Sequence, residues 1–129
     1  MKHQLHQFAL LVKDYDEAIQ FYTEILGFKL LEDTKMSETK RWVRIAPNGS
    51  TETGILLAKA KQGEQQNFIG HQTGGRVFLF LHTDDCMRDY HAWKAKGVHF
   101  TETPRDEAYG IVVVFEDLYG NKWDLIERK

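Results

Sequence analysis

DYDEAIQFYTEILG, residues 14–27, decides how this chain is read. Asp14 is a plausible N-cap, and Glu17 three residues on completes a capping-box arrangement. Ala18, Ile19, Tyr22, Ile25 and Leu26 fall on one helical face, and Gly27 supplies the stop. The stretch reads as one amphipathic helix with both ends marked.

Its flanks read as strands. QFALLVKD before it is an apolar run ending in Asp14, and FKLL after it is short and apolar. RWVRIA and TGILLAK follow as two more strands, joined through PNGSTE, whose Pro-Asn-Gly is a turn signal. The second half repeats this order. RVFLFLHTDD is a strand, and DDCMRDYHAWKAKG is a helix with Met87, Tyr90 and Trp93 at every third residue before Gly97. VHFTET, GIVVVFED and KWDLIE are strands, the last two turned by LYGN. Placing Asp14 over Asp85 matches Ile19 with Tyr90 and Tyr22 with Trp93. Strand, helix and three strands, given twice, predict a pseudo-twofold α+β domain spanning 1–129. Module one covers about 4–60, a connector about 61–75, and module two about 76–128.

Bulk composition narrows the function classes. A chain of 129 residues, 42% apolar and 28% charged, has the balance of an ordinary globular domain. The net charge of −2, with acids and bases interspersed, offers no footprint for nucleic acid or an anionic membrane surface. No apolar run reaches the ~18 residues of a membrane span. The single cysteine, Cys86, has no partner for an internal disulfide, which points to a reducing cytoplasm. It reads as a small helix-entry residue, since no base is assignable to a nucleophile there.

VKDYDEAIQFYTEILGFKL (12–30) resembles the opening helix signature of the vicinal oxygen chelate superfamily, the glyoxalase, bleomycin-resistance and dioxygenase-like proteins. FEDLYGNKWDLIE (115–127) resembles its closing hairpin. The resemblance implies two paired βαβββ modules, a half-open curved sheet around a cleft, helices on the outer face, and a homodimer. It also implies four metal-ligand positions, which fall on Gln7, Leu56, Phe78 and Asp124. Leu56 and Phe78 cannot ligate, and Gln7 with Asp124 makes two ligands where a catalytic zinc takes about three. No cofactor is therefore expected; a divalent metal enters only if the register is misread, with Gln7 and Asp124 retained.

Leu56, Phe78 and Phe80 instead make an apolar, aromatic floor suited to a small organic molecule. His82 shares their face but lies four residues from Phe78, about 13 Å at strand rise. It serves either as a rim acid/base or as a solvated strand end. Strand alternation puts Val43 and Ile45 toward the helix and Trp42 and Arg44 toward the cleft. There they suit an anionic or conjugated ligand. The other reading has Trp42 in the core and Arg44 reaching outward. His71, Phe68 and Gln72 lie in a glycine-punctuated connector that either covers the site or only links the modules. Glu107 and Tyr109 precede a later strand and reach the same mouth or stay in a solvated loop. Asp124, raised in pKa by apolar neighbours, is either a base acting with His82 or Tyr109, or a carboxylate held by backbone and water. The leading expectation is metal-independent small-molecule binding. The alternatives are a metal-dependent glyoxalase I-like lyase or isomerase, and a metal-free acid/base enzyme using Asp124.

Overall fold

Asp14 caps the first helix as its spacing requires: Oδ2 accepts the Glu17 N–H at 2.9 Å. The helix then changes character. In the computed structural model, which describes residues 1–50 and 53–129, α1 (Tyr15–Gln20) gives way to a π-helical turn at Phe21–Ile25. Leu26 N–H donates to Phe21 O at 3.1 Å, and the Thr23 hydroxyl donates to Ile19 O at 2.7 Å. The hydroxyl competes for a carbonyl of the helical ladder, and the wider turn rotates the residues that follow. Phe21 and Tyr22 are both buried as a result, while Ile25, expected on the core face, is only half-buried.

The residues divide into two compact units, Met1–Ile69 and Gly70–Lys129. In the first, β1 (Gln7–Val12), β2 (Lys29–Lys35), β3 (Arg41–Ala46) and β4 (Gly54–Lys59) form a sheet in the order β1-β4-β3-β2. The outer pair β1–β4 is parallel and the other pairs are antiparallel. Leu10, Val12, Val43, Ile45 and Leu57 are buried on the face that meets α1, with Ala18 and Tyr22 above them. Strand β2 is exposed throughout, Leu30 and Leu31 included. Pro47–Ser50 closes a turn by a Ser50 N–H to Pro47 O bond of 2.9 Å; the rest of PNGSTE, Thr51 and Glu52, lies outside the described residues.

The second unit has the same plan with one addition. Its strands are β5 (Val77–His82), β6 (His99–Phe100), β7 (Arg105–Glu107), β8 (Gly110–Glu116) and β9 (Lys122–Arg128). The order is β5-β9-β8-β6, with β5–β9 parallel and β7 paired to β8. PRDEAYG, read from sequence as a loop, thus supplies a three-residue strand, because Glu107 and Gly110 close a two-residue hairpin. Helix α2 (Cys86–Ala95) is capped by Asp85, whose Oδ1 accepts the Arg88 N–H at 3.0 Å. It buries Cys86, Tyr90 and Trp93, spaced i, i+4, i+7, and leaves Met87 outside, a correction to the three-residue spacing expected. Beneath it lies an aromatic cluster: Trp93 meets Phe115 edge-on at 5.2 Å, and Phe115 stacks on Trp123 at 5.8 Å.

Asp117 ties the closing hairpin. Its Oδ1 accepts the N–H groups of Tyr119, Gly120 and Asn121, and its Oδ2 accepts from Asn121 Nδ2 and Trp123 Nε1. Gly120 takes φ +103, which a side chain would resist.

Candidate functional site

Each sheet has one face against its helix, and most of the candidate site residues sit on the other. In β3, Val43 and Ile45 are fully buried while Trp42 and Arg44 are half-buried on the opposite face. In β1 the buried residues are Leu10 and Val12, so Gln7 shares the face of Arg44. Arg44 stands directly across from Leu56 on β4, and Gln7 stands across from Gly54. The Arg44 side chain crosses β4 over Gly54, and its Nε donates to Gln7 Oε1 at 2.7 Å.

Cavities open on this unit, and two of them touch these residues. One of about 520 Å³ is lined by Trp42, Leu56, Ala58, Tyr15, Lys40 and Gln65 among others. Another, of about 360 Å³, is lined by Arg44, Gly54, Gln4, His6, Ser50 and Thr53, with Leu31 and Ala46. The fold therefore gathers Gln7, Arg44 and Leu56 on one face and puts Trp42 beside Leu56 in the first cavity.

In the second unit Phe80 lies in register with Asp124, and His82 with Ile126. A bulge at Val77–Leu79 breaks the ladder around Phe78, so Phe80 is the residue directly beside the carboxylate. The bulge follows from one strand carrying an extra residue, which counting along the sequence does not register. Val114 flanks Asp124 from the other side. Phe80 and His82 are exposed, whereas Asp124 is half-buried and its Oδ1 is enclosed without a hydrogen-bond partner. Burial raises the Asp124 pKa first; the nearby Arg105 guanidinium opposes this and Glu102 adds to it.

Glu102 and Arg105 were not anticipated from sequence. Glu102 Oε1 accepts the Val114 N–H at 3.2 Å and its Oε2 accepts from Arg105 Nε at 3.0 Å, while Arg105 Nη1 reaches Glu107 at 2.8 Å. Only the pairing of β7 with β8 brings them toward Asp124. Tyr109 sits exposed at the tip of that hairpin. Its neighbour Gly110 pairs with Arg128, four residues along β9 from Asp124. Its hydroxyl reaches Arg105. His71 is exposed and lies on neither sheet, beyond a short 3-10 helix at Glu64–Phe68.

The donors at the four metal-ligand positions do not fit a divalent ion. The Gln7 carbonyl oxygen, the atom that would ligate, already accepts from a guanidinium, whose charge repels a cation. Leu56 and Phe78 carry no donor atom. Among the described residues no group of three or more His, Cys, Asp and Glu side chains could hold a metal. Cys86 is buried at the start of α2, and burial, followed by the charges of Glu127, Asp89, Asp85 and Asp124, pushes its thiol up to about 11. It is no nucleophile at neutral pH.

Three comparisons place this geometry. An uncharacterized protein of Shewanella frigidimarina is 53% identical over 128 residues, covering 98% of this chain and 95% of its own. The crystal structure of UcmS2 matches with a TM-score of 0.85 at 28% identity, covering 98% of this chain and 99% of its own. TnmS3, an antibiotic binding protein from Streptomyces sp. CB03234, matches with a TM-score of 0.78 at 28% identity, covering 100% and 98%. The two sheets, β-α-β-β-β in plan with β7 added to the second, are those of the glyoxalase-like fold. A family model for the Glyoxalase/Bleomycin resistance protein/Dioxygenase superfamily matches residues 4–125, and the chain belongs to that superfamily.

Proposed function

We propose that this protein binds a small organic molecule without a metal ion, on the sheet face that carries Trp42 and Leu56. The observation that carries the reading is the bond between Arg44 and Gln7, which occupies the one metal-ligand position of the first unit that still has a donor. The cavity of about 520 Å³ beside Trp42 and Leu56 falls in the size range of small-molecule sites. The likeness to an antibiotic binding protein supports the same class of ligand.

A thermal-shift series with planar aromatic compounds and bleomycin tests it. Binding is expected to raise Tm, to survive EDTA, and to weaken in Trp42→Ala. No stabilisation by any compound counts against the reading. Stabilisation lost with EDTA and restored by zinc or nickel would replace it with a metal-dependent glyoxalase-like lyase or isomerase.

The same proposal includes a homodimer in a reducing cytoplasm. An exposed Phe80 with exposed Leu30 and Leu31 gives apolar area for a second copy to cover. Light scattering at micromolar concentration is expected to give twice the chain mass; the monomer mass would overturn it.

One observation favours a second reading, metal-free acid/base chemistry at Asp124. A carboxyl with a raised pKa and one enclosed, unpartnered oxygen is poised to exchange a proton with a bound molecule. On a substrate with confirmed turnover, Asp124→Asn is expected to abolish the rate; an unchanged rate removes Asp124 from the chemistry.

A further inference from the structure

We infer that Arg44 is an oxyanion-binding residue, and that the small molecule bound by this protein carries a carboxylate or similar planar anionic group. The inference rests on the small-molecule reading above and adds the charge of the ligand.

Four observations converge on it. First, the Arg44 guanidinium is held in place. Nε donates to Gln7 Oε1 at 2.7 Å, which leaves the Nη1 and Nη2 edge to face another group. Second, room has been made for it. A Cβ on Gly54 would sit 2.8 Å from Nη2 and 3.5 Å from Cζ. Gly54 does not have the positive φ that favours glycine for backbone reasons, so its missing side chain serves the arginine.

Third, no ion pair among the described residues compensates the charge. Arg41 is paired with Asp33 and Asp16, Arg88 with Asp84 and Asp89, and Arg105 with Glu102 and Glu107. Arg44 enters none of these pairs, although like Arg41 it is half-buried, whereas Arg88 and Arg105 are exposed. Glu32, its register neighbour on β2, accepts the Thr34 hydroxyl at 3.1 Å instead. A partly desolvated cation anchored by a neutral amide is costly unless an anion meets it. Fourth, Arg44 lines a cavity of about 360 Å³ whose polar walls among the described residues are Gln4, His6, Ser50 and Thr53, none of them a carboxylate. None of those side chains repels an anion.

The geometry suits a planar oxyanion. Two parallel N–H groups of the guanidinium meet two oxygens of a carboxylate, an arrangement that lysine does not reproduce. Gln7 acts as a positioning residue, because holding Nε reduces the rotamer freedom lost on binding.

Calorimetric titration of the intact protein with benzoate and with its uncharged isostere benzamide tests the assignment. Benzoate is expected to bind at least about tenfold more tightly, the discrimination given by charge-assisted hydrogen bonds. Arg44→Gln should erase the difference, and Arg44→Lys should restore it only in part. Gly54→Ala retains every charge but crowds the guanidinium, and it should weaken benzoate more than benzamide. Circular dichroism confirms that each variant is folded. Equal binding of the two compounds by the wild type, or preference for benzoate surviving in Arg44→Gln, overturns the inference and leaves small-molecule binding standing. Binding of neither compound overturns the inference; the aromatic thermal-shift series then decides the broader reading independently.

Discussion

Phe80 stands directly across from Asp124 on the parallel pair β5–β9, so a ring that is 66% exposed flanks a carboxylate with one enclosed, unpartnered oxygen. Burial raises the folded-state pKa of Asp124 above its unfolded value. The folded protein then binds more protons than the unfolded chain between the two values, and stability falls as pH rises through that window. The contribution is fully present below about pH 3.9, the unfolded value, and is lost above the raised one. Asp124→Asn removes the titration. Its urea midpoint relative to wild type is expected to rise as pH increases from 4 to 7. A difference independent of pH would mean that the carboxyl titrates normally.

Asp117 gathers five donors at the closing turn, two of them the side-chain nitrogens of Asn121 and Trp123. Asp117→Asn preserves shape but sets an N–H₂ against those nitrogens or against the three backbone N–H groups. The cost is expected to be about 2–3 kcal/mol, that of leaving buried donors without an acceptor. Chemical denaturation measures it, and a loss below about 0.5 kcal/mol would show the turn to be held by backbone alone.

Cys86 is fully buried and its thiol is pushed up to about 11. Ellman's reagent in excess at pH 7.5 is therefore expected to label it only as fast as the unit opens. Labelling should accelerate in denaturant and barely respond to reagent concentration. Rapid labelling, first order in reagent, would place the thiol at the surface.

Gly110 and Gly49 make a matched pair. A Cβ on Gly110 would lie 2.4 Å from the Glu127 carbonyl oxygen of the neighbouring strand, whereas one on Gly49 meets nothing within 4 Å among the described residues. Gly110→Ala must push β8 from β9 at their ends and is expected to cost about 1–3 kcal/mol. Gly49→Ala should stay within about 0.5 kcal/mol. Equal effects would mean that the hairpin end yields without cost.

Elements with a periodic signal were legible in the chain. The Asp14 cap, the alternation of Val43 and Ile45 with Trp42 and Arg44, and the repeated strand-helix-strand plan all stand in the structure. Each depends on residues a few positions apart, where local geometry is nearly independent of the rest of the fold. The π-helical turn at Phe21–Ile25 was not legible, because a Thr23 hydroxyl competing for a carbonyl leaves the apolar spacing unchanged. Strand β7 was missed for a different reason: RDE has no apolar residue, and pairing with β8 alone makes it a strand.

What the sequence determined by itself is the set of faces: period 2 and period 3.6 say which side chains look inward before any strand has found a partner. What only the tertiary structure decided is which residues become neighbours across strands. The bulge at Val77–Leu79 puts Phe80 beside Asp124, β7 brings Glu102 and Arg105 toward the same carboxylate, and Arg44 passes over Gly54 to reach Gln7. Register is set by hydrogen bonds between strands distant in sequence, and a single extra residue in one strand moves every neighbour beyond it.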